Sequence, residues 1–294
     1  TALYHRMEVY GIERGFAGLV SGSAMRTFTL GSVAGIIHRG GTILHTARAP
    51  EFEQKPVQAA AARCLRQAGI EGLVVIGGGG SFCGAGALQE LGIQTVGIPA
   101  TIDHDIPFTD SAIGFDTAVN TILDAINRLR DTATAHERIF VVEVMGRESG
   151  FIALAAGIAG GAEAIIVPEI KPDLEVICRR LREGIARRKT HSLILVAEGA
   201  AGAYAVGEQV HRKTGLETRV TVLGHIQRGG TPSASDRLLA SRMGAAAVEL
   251  LRGGAGGQML SLQGDRITAV PLAEAAGRRA FPEELYTLSM ILAR

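Results

Sequence analysis

The chain has 294 residues, 47% of them hydrophobic and 20% charged; at about 150 residues per domain this predicts two lobes with ample apolar side chains for a core, and it excludes a mainly disordered chain. Lys plus Arg (30) against Asp plus Glu (29) leaves a net charge of +1, which gives no single-sign field and argues against nucleic acid or an acidic membrane surface as partner. The 3 cysteines, Cys64, Cys83 and Cys178, have no CxxC spacing and read as reduced thiols of a cytoplasmic protein.

In chain order, Thr1–Arg6 reads as the tail of a helix whose beginning is absent, so the expectation is either a longer natural product or a compromised copy. No basic-then-apolar leader pattern opens the chain. Val9–Ile12, Gly72–Ile76, Thr95–Ile98, Ile139–Val144, Ala164–Val167, Leu193–Ala197 and Arg219–Leu223 are predicted strands. They are rich in Val and Ile and mostly continuous rather than alternating, which predicts parallel strands buried on both faces. Helical spacing of apolar residues predicts helices over Pro56–Ala68, Gly84–Leu91, Ala118–Leu129, Leu174–Ile185 and Ser235–Leu251. The stretch Phe151–Val167 is apolar, but Glu163 and its glycines break it too often for a membrane span. Strand, helix, strand is the repeating order, and the fold class is α/β.

The 39 glycines cluster just after the predicted strands, where open α/β sheets bind ligands. Gly77–Gly80 with Ser81 lies between a strand and a helix. Such a turn suits phosphate held by main-chain N–H groups, and equally suits a flexible turn with a Ser cap; the missing Lys excludes a Walker A loop. Thr101-Ile102-Asp103-His104-Asp105 follows the next strand. Its two carboxylates fit a base and a cation ligand, or a polar loop with an Asp cap. Met145-Gly146-Arg147, Glu198-Gly199 and Leu223–Gly230 end three further strands. A single Arg or His in a loop is usually a surface residue, but this many polar groups at strand ends imply one site with cationic and anionic halves.

These segments, together with Gly40–Arg48, Pro99–Asp105, Ile113–Ala118, Val142–Gly150, Gly160–Glu169 and Val222–Gly230, resemble the phosphofructokinase family, in its bacterial ATP-dependent 6-phosphofructokinase type, over nearly the whole chain. The resemblance implies two Rossmann-like lobes with mainly parallel sheets covered by helices. A nucleotide lobe is expected over 1–114 plus 227–277 and a sugar-phosphate lobe over 115–226 plus 278–294, with the site in the cleft between them. It implies the glycolytic transfer of the ATP γ-phosphate to the 1-hydroxyl of fructose 6-phosphate. Asp103 resembles the general base, with Thr101 and Arg147 as further catalytic groups. Met145, Gly146, Arg147, Glu198, His225 and Arg228 resemble sugar-phosphate contacts. Arg138 and Arg219 resemble residues lent by a neighbouring subunit, which implies a homotetramer. Arg48, Ala49, Gly78, Gly79, Gly80 and Ser81 resemble the ATP site, and Asp105 a ligand of Mg²⁺. Arg130, Gly161, Glu163, Arg187, Lys189 and His191 resemble parts of an effector site for a nucleoside diphosphate or phosphoenolpyruvate.

The chain also departs from the family pattern. Gly79 stands where the nucleotide motif has an Asp tied to magnesium, His104 where it has Asn, and Phe108 where it has Gly. An Arg expected near Thr29–Leu30 is absent. The family's opening strand and glycine-rich loop are not in the sequence. Small Gly80 and uncharged Ala100 fit ATP rather than pyrophosphate as donor, leaving a pyrophosphate-dependent enzyme as one alternative. A non-catalytic, sugar-phosphate-binding regulatory subunit is the other.

Overall fold

The computed structural model describes all residues except 23, 24, 134–137, 188, 190 and 294. In chain order the elements are β1 (Tyr10–Gly11), α1 (Gly15–Ser21), β2 (Arg26–Thr27), α2 (Lys55–Gln67), β3 (Gly72–Gly77), α3 (Gly79–Glu90), β4 (Gln94–Pro99), α4 (Phe115–Ala133), β5 (Ile139–Val144), α5 (Phe151–Ala159), β6 (Ala164–Ile166), α6 (Leu174–Ala186), β7 (Ser192–Ala197), α7 (Ala203–Thr214), β8 (Thr218–Val222), α8 (Ala234–Arg252), β9 (Gln258–Gln263), β10 (Arg266–Pro271) and α9 (Glu283–Leu292). The chain divides into two compact units. One comprises Thr1–Thr101, Ile106–Ile113 and Thr231–Arg279; the other comprises Ile102–Asp105, Gly114–Gly230 and Ala280–Arg294.

The first unit holds a four-stranded sheet in the order β10-β9-β4-β3. β4 is parallel to β3 and β9, while β10 returns antiparallel to β9. β4 is central, and its Thr95, Val96 and Ile98 are almost fully buried. One face packs Val96 and Ile98 on Leu239, Met243 and Ala247, a stripe of fourfold spacing along α8. The other packs Val75 and Met259 on Phe82 and Ala85 of α3 and on Leu272. The register Gly77↔Pro99 brings the ends of β3 and β4 level, and the Ala100 N–H donates to the Gly77 carbonyl at 2.9 Å.

The second unit holds a sheet in the order β6-β7-β5-β8, and every pairing in it is parallel. Side chains alternate across β5. Phe140, Val142 and Val144 face Ile122 and Ile126 of α4 and Ile152 of α5; Ile139 and Val141 face Cys178 and Leu181 of α6 and Val206 and Val210 of α7. With helices on both faces, β7 is buried at every residue, which is why its sequence reads as a continuous apolar run. Ile122, Ile126 and Ile152 are at 0% exposure, and each such burial stabilises the fold by about 1.5–3 kcal/mol. Among the described residues no helix is long and apolar enough to cross a membrane.

Several expectations need correction. Thr1–Arg6 forms turns, not the end of a helix. Val9–Ile12 reduces to the two residues of β1, paired with β2. The helix expected from Gly84 begins at Gly79, so Gly79, Gly80 and Ser81 lie in its first turn; Gly78 is the N-cap residue, and no side chain caps the helix. Helices α1, α5, α7 and α9, strand β2 and the hairpin β9–β10 had no expected counterpart. Gln258–Gln263 and Arg266–Pro271 interleave polar residues, as suits strands with one partly exposed face, so no continuous apolar run marks them.

Candidate active site

Three adjacent parallel strands of the second unit end together. Val144 of β5 pairs with Ala197 of β7, and Glu143 pairs with Val222 of β8. The loops after these strands therefore bring residues 145–147, Glu198 and residues 224–228 to one edge, where open α/β sheets place their ligands. Two glycines make the approach possible. Gly146 has φ 141° and a Cβ there would lie 2.3 Å from the Ser149 carbonyl oxygen; a Cβ on Gly199 would lie 1.9 Å from that of Arg147. With both side chains absent, the backbone N–H of Arg147 donates to Glu198 Oε1 at 2.8 Å.

Asp103 belongs to the same group. It is 8% exposed, and its Oδ2 lies 3.5 Å from Arg147 Nε. Ser149 Oγ donates to the Asp103 carbonyl at 2.9 Å, tying the turn to the loop that carries Arg147. Burial pushes the Asp103 carboxyl above its ordinary value; Arg147 and Arg228 pull it down, and Asp105 and Glu198 push it up. The Arg147 side chain is 69% exposed, so this pair adds little stability, about 0–1 kcal/mol. Its consequence is chemical: a carboxylate with raised proton affinity is held beside an exposed cation.

His225 and Arg228 lie on the exposed side of the 3₁₀ turn Gly224–Arg228, while Gln227 between them is 1% exposed. Gln227 Oε1 accepts from the Met145 N–H at 3.1 Å, and its Nε2 donates to the Gly224 carbonyl at 3.0 Å. Gln227 thus fastens the loop after β8 to the loop after β5. Sequence reasoning passed over Gln227 and Ser149, which hold the site through main-chain groups; a polar residue inside an otherwise charged loop is a weak signal.

The expected nucleotide residues lie in the first unit. Gly78 ends the strand–helix turn, and Thr101 Cβ would lie 3.8 Å from a Cβ built there. Residues 79–81 form the first turn of α3, where N–H groups lack partners within the helix and the dipole favours an anion. A Cβ at Gly80 would meet nothing within 4 Å. Arg48 and Ala49 stand in the loop before the 3₁₀ turn Pro50–Glu53.

A family model described as phosphofructokinase matches residues 1–251. The chain belongs to the phosphofructokinase family. It is 54% identical to the ATP-dependent 6-phosphofructokinase of Bacillus mycoides (strain KBAB4), over 98% of this chain and 90% of that one. It superposes on the phosphofructokinase structure from Saccharomyces cerevisiae with a TM-score of 0.86 and 30% identity, over 99% of this chain and 42% of that one. With the Pichia pastoris phosphofructokinase in the T-state the TM-score is 0.88 at 31% identity, over 99% of this chain and 36% of that one. The chain thus spans less than half the length of these two yeast chains. Its fold is the α/β phosphofructokinase fold.

Two expected groups of this phosphofructokinase lie apart from Asp103. Arg138 precedes β5, and Arg219 pairs with Phe140 at the start of β8. Both bind Glu217, Arg138 Nε at 3.0 Å from its Oε2 and Arg219 by an ion pair, and together they hold the Glu217 carboxyl below its ordinary value. Arg219 is level with Phe140, four residues before the end of β5, so at about 3.3 Å per strand residue it stands about 13 Å along the sheet from the strand end that leads to Arg147. The expected effector residues cluster elsewhere in the second unit. Glu163, Arg187 and Lys189 line a cavity of about 250 Å³ with Arg180 and Ser192. Lys189 is ion-paired with the buried Glu163, which also accepts from the Leu193 N–H. Arg130 donates to the carbonyls of Gly160 and Gly161 beside them. His191 lies between Lys189 and Ser192 in the chain, just before β7.

Among the described residues no cluster of three or more His, Cys, Asp or Glu side chains could cage a metal ion. Asp105 is half-buried two residues beyond Asp103. This donor set suits Mg²⁺, which keeps several waters and takes one or two protein carboxylates alongside phosphate oxygens.

Proposed function

We propose that the chain is an ATP-dependent 6-phosphofructokinase. It moves the γ-phosphoryl group of ATP to the 1-hydroxyl of fructose 6-phosphate and yields fructose 1,6-bisphosphate and ADP, a cytoplasmic step of glycolysis. The observation that carries this reading is the buried Asp103 carboxylate 3.5 Å from Arg147 Nε, with the Arg147 N–H held by Glu198.

Asp103 accepts the proton of the 1-hydroxyl as the new oxygen–phosphorus bond forms and the bond from the γ-phosphorus to the leaving ADP oxygen breaks. Burial raises its proton affinity, which makes it a stronger proton acceptor than a fully hydrated aspartate. Arg147 balances charge on the transferring group, the positioning and neutralisation that phosphoryl transfer requires. His225 and Arg228 hold the sugar 6-phosphate, and Met145, Gly146 and Glu198 shape the sugar contact. In the first unit, Gly78, Gly79, Gly80 and Ser81 receive the nucleotide phosphates at the start of α3, with Arg48, Ala49 and Thr101 beside them. Asp105 would hold Mg²⁺, which when bound neutralises phosphate charge.

Arg138 and Arg219 act on the sugar phosphate of a neighbouring subunit in a homotetramer. Their place at the opposite end of the sheet from Arg147 supports this, because they cannot serve their own chain's site. The cavity lined by Glu163, Arg187 and Lys189 is the effector site, with Arg130, Gly161 and His191. Lys189→Ala is expected to flatten any change that a nucleoside diphosphate or phosphoenolpyruvate makes in the sugar-saturation curve; an unchanged response removes this assignment.

Gly79 favours a second reading, a sugar-phosphate-binding subunit without full activity, because it leaves the start of α3 without a carboxylate. A coupled assay for fructose 1,6-bisphosphate with ATP or pyrophosphate, alongside calorimetry with fructose 6-phosphate and with Mg–ATP, separates the readings. Turnover with ATP supports the kinase. Sugar binding without nucleotide binding or turnover supports the regulatory subunit, and turnover with pyrophosphate alone reverses the donor.

A further inference from the structure

β5 lies between β7 and β8 in its sheet. Five of its six residues are apolar, and the sixth is Glu143. A charged side chain in a central strand is costly to bury without a partner. By the alternation of β5, Glu143 stands on the face of Ile139 and Val141, which α6 and α7 cover. Its Oε2 accepts from the backbone N–H of Ala203 at 2.8 Å, the first residue of α7, where the helix dipole favours an anion. Gly202 before it supplies no side-chain cap, so a carboxylate from β5 takes the place of one. The Glu143 carbonyl accepts from the Leu223 N–H at 3.1 Å, and this one residue thus touches both the chain after β7 and the chain after β8. The connection from β7 to α7 reads Glu198-Gly199-Ala200-Ala201-Gly202, and apart from Glu198 it has no polar side chain to fasten it. Its near end is held by the Glu198 N–H on the Val144 carbonyl at 2.9 Å, and its far end by Glu143 on Ala203. Between these points Glu198 Oε1 holds the Arg147 N–H, and Gly199 lies so close to Arg147 that a Cβ would come within 1.9 Å of its carbonyl oxygen.

We propose that Glu143 is a positioning residue for the sugar contact: by pinning the start of α7 from inside the sheet, it holds Glu198 and Gly199 against the loop that carries Arg147. Without the bond at Ala203 the glycine- and alanine-rich connection is fixed at one end only, and Glu198 and the Arg147 turn lose their common register. The task of Glu143 is to supply an acceptor oxygen at this place, which an amide oxygen can also do. The inference rests on the reading of Glu198 as a sugar contact and adds the residue that sets it in place.

Glu143→Gln keeps an acceptor oxygen on a side chain of the same length, whereas Glu143→Val matches the neighbouring residues of β5 and removes the acceptor. In steady-state assays with Mg–ATP and fructose 6-phosphate, Glu143→Val is expected to lower kcat/KM for fructose 6-phosphate about 10- to 100-fold, as a displacement near 1 Å would cause. The KM for ATP should stay within about threefold of the parent, since the expected nucleotide residues stand in the first unit. Glu143→Gln should keep kcat/KM within about threefold of the parent. Should Glu143→Val fail to fold, Ala203→Pro removes the donor instead and carries the same expectation. Proline is accepted at the first position of a helix, and Gly202 already has the extended backbone, φ −75° and ψ 131°, that precedes a proline. In a Glu198→Ala background the same variant should cost less than about threefold more, whereas a general loss of structure would cost its full factor in both backgrounds. Parental kcat/KM in Glu143→Val, equal losses in the Gln and Val variants, a matching rise in the KM for ATP, or a full further loss in the Glu198→Ala background overturns the inference. A slow Glu198→Ala beside a parental Glu143→Val overturns this inference alone, whereas parental kcat/KM in Glu198→Ala overturns the reading of Glu198 beneath it.

Discussion

Gly199→Ala tests whether the loop geometry, rather than the mere presence of charged residues, makes the site. The added methyl would lie 1.9 Å from the Arg147 carbonyl oxygen, against about 3.4 Å for ordinary contact, so one of the two loops must give by about 1.5 Å. The obstacle is backbone and cannot rotate away. The shift would carry Arg147 off Asp103 or draw Glu198 off the Arg147 N–H. Overpacking of this kind costs about 1–3 kcal/mol of stability, a fall of several degrees in the thermal midpoint. A misplacement near 1 Å costs about 100-fold in rate. Initial-rate measurements are therefore expected to give a kcat/KM for fructose 6-phosphate about 100-fold down, in a protein still folded at the assay temperature. Gly202→Ala is the control, because a Cβ there meets nothing within 4 Å, and it should match the parent. Parental kcat/KM in Gly199→Ala would refute the reasoning that this close approach sets the position of Arg147.

Three further outcomes follow. Arg147→Ala removes the cation that pulls Asp103 down, leaving burial, Asp105 and Glu198 to raise it against Arg228 alone; the acid limb of kcat/KM should move to higher pH, and an unmoved limb would contradict Asp103 as the titrating base. At Gly79 the nearest atom to an added Cβ is Ile106 Cδ1 at 3.9 Å, so Gly79→Asp fits; it should lower the half-saturating Mg²⁺ concentration about tenfold, the equivalent of ~1.4 kcal/mol, and an unchanged Mg²⁺ curve would show that the start of α3 does not face the metal. Mixing Arg219→Ala with Asp103→Asn subunits after reversible dissociation should restore on the order of a quarter of parental activity, since each hybrid pair rebuilds one intact site of two; no recovery in verified hybrids would mean that Arg219 serves no neighbouring site.

Much of this was legible in the residues. The strands β4, β5 and β7 are buried on both faces, so their Val and Ile runs stand out from the chain. The charged and glycine-rich ends of those strands are equally visible, because function collects where the sheet opens. Other features were not. The start of α3 at Gly79 is masked by four consecutive glycines, whose weak helical preference hides a helix stabilised by its packing of Phe82 and Leu88. The β9–β10 hairpin alternates too irregularly to be distinguished from loop. The aromatic contacts of His104 with Phe115 and Phe151, and of Phe151 with Phe281, arise through tertiary packing, and no local periodicity records them. Gln227 and Ser149 act through backbone partners far along the chain, 82 and 46 residues away, which spacing alone cannot indicate.

The most direct measurement is the turnover of Asp103→Asn with ATP, Mg²⁺ and fructose 6-phosphate, read beside calorimetric binding of the sugar phosphate. Loss of the base should lower kcat by about 100- to 10,000-fold, while the dissociation constant for fructose 6-phosphate stays within about threefold of the parent. Parental turnover by the folded variant would contradict the account.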